Sequence, residues 1–270
     1  MNNGTGEKPL YGQTTQHPLA GLIDPRETYA PHVIAHFVSL LNNLRTVVDV
    51  GAGPGRDLEI VKRVHPEAIT IAVEAGQEYA ARLIGKADAV RILNIERDPL
   101  PFSDESVDLV IANQVLEHTK EVFWIFHEMS RSLKVGGHLL IGVPNIASLH
   151  NRFLLLFGKQ PTQHKLCSAH VRPFSKNDTL KFFQACFPQG YYLAGFRGSQ
   201  FYPFPHNAAR LLAYFLPTAA FSIFFLLRKE RAYRDEFATY PARACLETNF
   251  YCGSVVTGSQ YHQETGDAAS

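Results

Sequence analysis

Cysteine is scarce and unpatterned. Cys167, Cys186, Cys245 and Cys252 form no C-x-x-C pair, so zinc-ribbon and dithiol spacings are missing; reduced, structural thiols in a cytoplasmic setting fit best, and no metal ligands are assigned. Net charge is nearly absent as well: 26 Lys and Arg stand against 25 Asp and Glu, which speaks against a nucleic-acid polyanion as the main partner. The first 20 residues are polar and hold no apolar leader, so no secretory signal is expected. Long uncharged runs are rare; Leu211 to Leu227 carries no charge, but it is short for a membrane span and Pro217 interrupts it. What is present is 46% apolar and 19% charged residues over 270 positions, enough for one large core in a single domain.

The most informative stretch is Thr46-Val47-Val48-Asp49-Val50-Gly51-Ala52-Gly53-Pro54-Gly55-Arg56-Asp57-Leu58. A β-branched run enters a glycine-rich turn, and a helix-forming segment follows. Gly51 and Gly53 permit a tight turn and close approach of a ligand to the backbone, and the free N–H groups at the helix start face that ligand. The spacing is G-x-G-x-G rather than the dinucleotide G-x-G-x-x-G, so a nicotinamide reading is not met. By itself the stretch is also compatible with a plain strand–helix turn.

The pattern then alternates. Strands are expected at Thr46–Val50, Ala68–Glu74, Ala89–Leu93, Val107–Ala112 and His138–Val143, with crossover helices after Gly55, at 77–84 and at 121–133. A further helix is expected at 25–44, with Asp24 as its cap and Pro25 at its first position. Such alternation predicts a parallel sheet with right-handed crossovers. Glu74 closes the second strand about 20 residues after the last turn glycine, the interval at which an acid binds a ribose diol; a solvated strand-end glutamate is the plainer alternative.

The glycine-rich stretch resembles motif I of the class I S-adenosylmethionine-dependent methyltransferases. Three later phrases, in order, are similar to the same family: Leu100-Pro101-Phe102 leading through Asp104 to Ser106-Val107-Asp108, with Val107 where Phe is usual; Val115-Leu116-Glu117-His118 after the fourth strand; and Leu133-Lys134 through Gly136-Gly137 into Leu139-Leu140-Ile141. The resemblance covers about 47–145. It implies a Rossmann-like α/β fold: a seven-stranded, mostly parallel sheet with helices on both faces and an antiparallel last strand. It implies S-adenosylmethionine as cofactor, with Asp49, Gly51, Ala52, Gly53 and Gly55 around the turn, Glu74 and Ala75 at the ribose, Asn94 and Ile95 at the adenine, and Asn113 and Gln114 lining the methyl donor. Glu117 is placed at the methionine amine, and His118 or His170 as a base. At 117 and 118, a simple helix start is the alternative reading.

The second half is less regular. His170-Val171-Arg172-Pro173-Phe174-Ser175 resembles a segment near the acceptor mouth of related proteins, with Ser175 capping the next helix; surface or turn residues are the alternative for His170 and Arg172. Strands are expected at 191–197 and 249–256, separated by a helical apolar insertion at about 200–248. Its run Leu211 to Leu227, followed by Arg228, Lys229, Arg231 and Arg234, reads as a lid or a core segment, a peripheral membrane contact at the inner face, or a homodimer face. Residues 1–20 and 258–270 are expected to be flexible tails around one domain at 21–257. The expected activity is methyl transfer to oxygen of a small-molecule, lipid-linked or saccharide acceptor. A non-catalytic subunit of the same fold is the alternative from another class. A nucleic-acid methyltransferase is disfavoured, because Asn113-Gln114-Val115-Leu116 stands where an N/D-P-P-Y/F phrase would be.

Overall fold

A computed structural model describes residues 29–246, 250, 251 and 253. In chain order the elements are α1 (Pro31–Ser39), β1 (Thr46–Val50), α2 (Arg56–Val64), β2 (Ile69–Glu74), α3 (Gln77–Leu83), β3 (Ala89–Ile92), β4 (Val107–Asn113), α4 (Val122–Ser132), β5 (Leu133–Pro144), α5 (Leu149–Leu156), α6 (Lys176–Cys186), β6 (Tyr191–Ser199), α7 (His206–Phe215), β7 (Ser222–Lys229) and α8 (Glu236–Arg243). Short 3-10 turns stand at Leu116–His118, Thr162–His164 and Pro217–Ala219.

The strands form one seven-stranded sheet in the order β3-β2-β1-β4-β5-β7-β6. β1 to β5 pair in parallel, and β7 runs antiparallel to both β5 and β6. The two-residue period of a strand divides the core between two faces. Val47, Leu109, Ile111, Leu140, Phe224 and Leu226 face α1 and α2, while Val48, Val110, Leu139, Ile141, Ile223 and Phe225 face α4, α6 and α8. Both sides of the sheet are thus covered, which is why its central strands read as nearly continuous apolar runs.

The phrase from Leu100 to Asp104 is tied to α4 by one charged pair. Glu128 accepts from the amide of Leu100 at 2.6 Å, and Arg131 donates to the carbonyls of Leu100 and Phe102 at 3.0 and 2.7 Å and to Asp104 at 2.7 Å. Ser175 caps α6 as expected, its hydroxyl accepting from the amide of Asp178.

Two expectations are corrected. The helical apolar insertion is not one helical unit: α7 takes its first part, Pro217 ends the helical stretch, and Ser222–Lys229 is a strand inserted into the middle of the sheet. An apolar run buried on both faces has no period by which to distinguish strand from helix. The residues from Ser222 to Leu227 are all buried, so for them the core reading holds and the lid, membrane-contact and dimer-face readings do not. Nor do the basic residues after them form a free edge. The Lys229 side chain is 0% exposed and donates to the carbonyls of Ser130 and Leu133 at 2.9 and 2.6 Å, Arg228 pairs with Glu230 and Arg231 with Glu236. Consequently β7, not a strand at 249–256, is the antiparallel partner of β6; most of 249–256, the Asp24–Pro25 cap and both expected tails lie outside the described residues. Among the described residues no helix is long and apolar enough to cross a membrane.

Candidate active site

The site forms at the C-terminal edge of β1, β2 and β4, where an open parallel sheet presents its crevice. β1 leaves the sheet through three glycines with φ of +73°, +49° and +79° at 51, 53 and 55, a region that L side chains rarely adopt. The amides of Gly51 and Ala52 donate to the carbonyl of Val73, tying the turn to β2. A Cβ on Gly51 would meet Val115 Cγ2 at 2.6 Å and one on Gly55 would meet Leu83 Cδ2 at 2.8 Å, whereas one on Gly53 would meet nothing within 4 Å. The first and third glycines are therefore demanded by packing, and the second faces open space. Glu74 turns back over this space: its Oε2 accepts from the amide of Gly53 at 2.9 Å and its Oε1 from Ala75 at 3.0 Å.

Beside the turn lies a cavity of about 220 Å³ lined by Tyr29, Asp49, Gly51, Ala52, Pro54, Arg56, Asp57, Asn113 and Gln114. It is electronegative. Asp49 is buried and its carboxyl is pushed well above the usual range, by burial first and then by the charges of Asp57 and Glu74. Burial raises Asp57 to about 6, although a hydrogen bond from Asn113 Nδ2 at 2.8 Å and the charge of Arg56 act the other way. Asn113 Oδ1 and Gln114 Nε2 are buried and have no hydrogen-bond partner; buried polar atoms left open in this way are unusual and mark a place where a ligand supplies the partner. Two buried carboxyl groups together with an open acceptor and donor suit a ligand that carries both ammonium and carboxylate groups and a second cationic centre. A methionine sulfonium has that character, so the lining fits the cofactor that the sequence implies.

The other expected residues divide into two groups. Asn94 and Ile95 follow β3 on the far side of Glu74; Asn94 Oδ1 accepts from the amide of Glu96, and Ile95 packs on the core. Glu117, His118 and His170 are brought together outside the cavity lining. The carbonyl of Glu117 accepts from the amides of Val171 at 2.8 Å and Arg172 at 3.1 Å, which docks the segment from His170 to Ser175 onto the turn after β4. The His118 and His170 rings meet edge to face with centroids 4.7 Å apart. Burial raises the Glu117 carboxyl to about 8, while burial and the neighbouring His118 and His164 lower His170 to about 4.

Tyr29, Arg56 and Asp57 are site residues that sequence reasoning misses. Asp57 carries a signal, an acid in the first turn of the helix after the glycines, but such acids are common as partners of a helix N-terminus. Tyr29 carries none, since it reaches the site from before α1.

Comparison with known proteins agrees with this geometry. Residues 48–141 match the model of a methyltransferase domain. The chain is 32% identical over 150 residues, 54% of its length and 51% of the relative's, to a malonyl-[acyl-carrier protein] O-methyltransferase of Coxiella burnetii. It spans from about a third to about half of the length of the curated relatives it matches first. In fold it is similar to a SAM-dependent methyltransferase from Thermotoga maritima (TM-score 0.54, 21% identity, 76% of this chain and 91% of that one) and to one from Archaeoglobus fulgidus (TM-score 0.52, 16% identity, 76% and 97%). The glycine turn, the strand order and the domain match agree: the chain carries a methyltransferase domain over residues 48–141, on the fold seen in S-adenosylmethionine-dependent methyltransferases.

Proposed function

We propose that this protein transfers the methyl group of S-adenosylmethionine to a hydroxyl oxygen of a small-molecule, lipid-linked or saccharide acceptor. The observation that carries the cofactor half of this reading is the hydrogen bond between the Gly53 amide and Glu74, which sets a strand-end carboxylate beside a turn whose middle glycine leaves open space. Bound there, the cofactor supplies a methyl group made electrophilic by its sulfonium.

The chain's own residues do the rest. Glu74 accepts from the two ribose hydroxyls, a task suited to a carboxylate with lone pairs left over. Ala75, Asn94 and Ile95 flank the adenine. Asp49 and Asp57 set negative charge against the cationic end, and Asn113 Oδ1 and Gln114 Nε2 complete its hydrogen bonds. The cavity holds only the amino-acid end; the nucleoside lies along the edge between Glu74 and Asn94. Methyl transfer is an in-line displacement, so the remaining task is to align the acceptor and exclude water. The cluster of Glu117, His118 and His170 stands one turn past Gln114, and there an acceptor hydroxyl can lose its proton; burial and the neighbouring His118 and His164 keep His170 neutral at pH 7.

Two observations support the acceptor half. The Coxiella relative is described as a malonyl-[acyl-carrier protein] O-methyltransferase, which supports oxygen as the attacking atom, although a malonyl group offers a carboxylate rather than a hydroxyl. Exposed apolar side chains, Leu156 and Phe157 at the end of α5 and Leu211 and Phe215 on α7, stand on helices that share the small core of Phe201, Ala209 and Ala213, an apolar surface on which a lipidic portion can rest. Incubation with cofactor carrying a labelled methyl and with fractionated cell extract tests the reading: label is expected in a base-resistant, ether-type product. Label in protein alone, or none anywhere with protein that binds the cofactor, overturns it.

A further inference from the structure

Glu117, His118 and His170 each offer one ligand atom, and the three atoms lie within 4.8 Å of one another. Glu117 is 1% exposed, and its Oε2 is buried with no hydrogen-bond partner. His170 Nδ1 is likewise buried and unpartnered. His118 is oriented from behind. Its Nδ1 lies 3.3 Å from the carbonyl of Ala169; a carbonyl only accepts, so Nδ1 carries the proton. Nε2 is then left as a bare lone pair, 3.9 Å from Glu117 Oε1. A histidine held by a backbone carbonyl on one nitrogen and free on the other is the usual outer-shell arrangement of a metal-binding imidazole.

We propose that Glu117, His118 and His170 form a binding site for a divalent first-row transition ion, with coordination positions left open toward the acceptor. Two imidazoles and one carboxylate suit zinc, iron or manganese rather than magnesium or calcium, which prefer all-oxygen sets. At ligand bond lengths of about 2.0–2.2 Å neighbouring donors stand closer together than they do here, so the ion draws the three side chains inward. His118 is partly exposed and can turn to meet it. Backbone bonds bring them together: the turn after β4 carries Glu117 and His118, and the Val171 and Arg172 amides fasten His170's segment to the carbonyl of Glu117.

This inference rests on the reading of that edge of the sheet as the acceptor site and deepens it. An acceptor oxygen bound to the ion loses its proton to water more readily, because a bound cation makes a hydroxyl more acidic. The alkoxide then forms the new carbon–oxygen bond as the carbon–sulfur bond breaks, and that electron pair stays on sulfur, which becomes a neutral thioether. His118 and His170 serve as ligands in this scheme rather than as bases.

The test uses the full chain, stripped with chelator and desalted. Calorimetric titration with zinc chloride is expected to show one site in the wild type, weakened at least tenfold in His170→Ala and in His118→Ala. Cobalt chloride is expected to give a visible absorption band that both variants lose. Titration with S-adenosylhomocysteine in parallel reports whether each variant keeps its fold and cofactor site, and all three proteins are expected to bind it alike. No zinc site in a wild type that binds S-adenosylhomocysteine, or equal zinc affinity in all three proteins, overturns the inference. Zinc binding that follows the histidines in a protein without affinity for S-adenosylhomocysteine keeps the ion and overturns the cofactor reading instead.

Discussion

The amide of Gly53 donates to Glu74 Oε2 at 2.9 Å, joining the turn after β1 to the end of β2 across 21 residues. One carboxylate thereby shapes the turn and, in the proposed complex, holds the ribose. Glu74→Ala removes both, and hydrogen bonds to charged groups contribute about 1.5–3 kcal/mol each. Affinity for S-adenosylmethionine is expected to fall roughly 100-fold. Glu74→Gln keeps an oxygen for the Gly53 amide and is expected to bind between the two. Isothermal titration decides, and unchanged affinity in Glu74→Ala removes the ribose assignment.

Gly51 and Gly53 are expected to fail differently. At 51 an added methyl collides with Val115 at 2.6 Å in a left-handed backbone conformation. Strain and overpacking together cost about 3 kcal/mol, which lowers the unfolding midpoint by roughly 6–10 °C. At 53 the methyl meets open space, so Gly53→Ala costs about 1 kcal/mol through its backbone angle alone while filling the room meant for ligand. Thermal unfolding is expected to single out the first, and a loss of cofactor affinity at nearly native stability the second.

Cofactor binding is expected to depend on pH through the cavity carboxylates. Asp57 titrates near 6 in the free protein, and a cationic ligand favours its ionised form, so binding lowers that pKa. The Asp57 contribution to affinity therefore rises with pH up to about 6 and levels off above it. Binding near pH 6 releases protons, seen as a heat that varies with the buffer's ionisation enthalpy. A Kd at pH 5 up to about tenfold weaker than at pH 7.5 is expected, and Asp57→Asn is expected to flatten the profile.

Glu128 supplies a stability test remote from the cavity. Burial alone would raise its carboxyl, but hydrogen bonds from His127 and Arg131 and the Arg131 charge hold it near 2, below the usual 4.5. A depressed acid stabilises the fold above its unfolded pKa and loses that contribution as pH falls through the folded one. The shift corresponds to about 3 kcal/mol, present at pH 7 and declining from about 4.5 toward 2. Urea unfolding of the wild type and Glu128→Gln is expected to show a stability gap at pH 7 that narrows at pH 3.

The five parallel strands were legible because β-branched runs ended at recognisable turns, and Gly51, Gly53 and Glu74 were legible because their spacing has a mechanical reason. β7 was not. Ile223 to Leu227 contact helices on alternate sides of the sheet, so every position is apolar and no period marks the strand. Asp57 hid among ordinary helix-start acids. The cluster of Glu117, His118 and His170 hid for another reason: 52 residues separate its histidines, and only the backbone bonds from Val171 and Arg172 to Glu117 bring them to one place.

The position of β7 also governs assembly. It is the seventh strand in the chain yet pairs with β5 on one side and β6 on the other. Until residues 222–229 leave the ribosome, those two neighbours have no bridge, and each presents a bare row of amides and carbonyls flanked by apolar side chains. Unpaired edges of this kind invite other chains. A product truncated before residue 222 would therefore carry every glycine of the cofactor turn and still be prone to aggregate, because the piece that seals the sheet arrives late in synthesis.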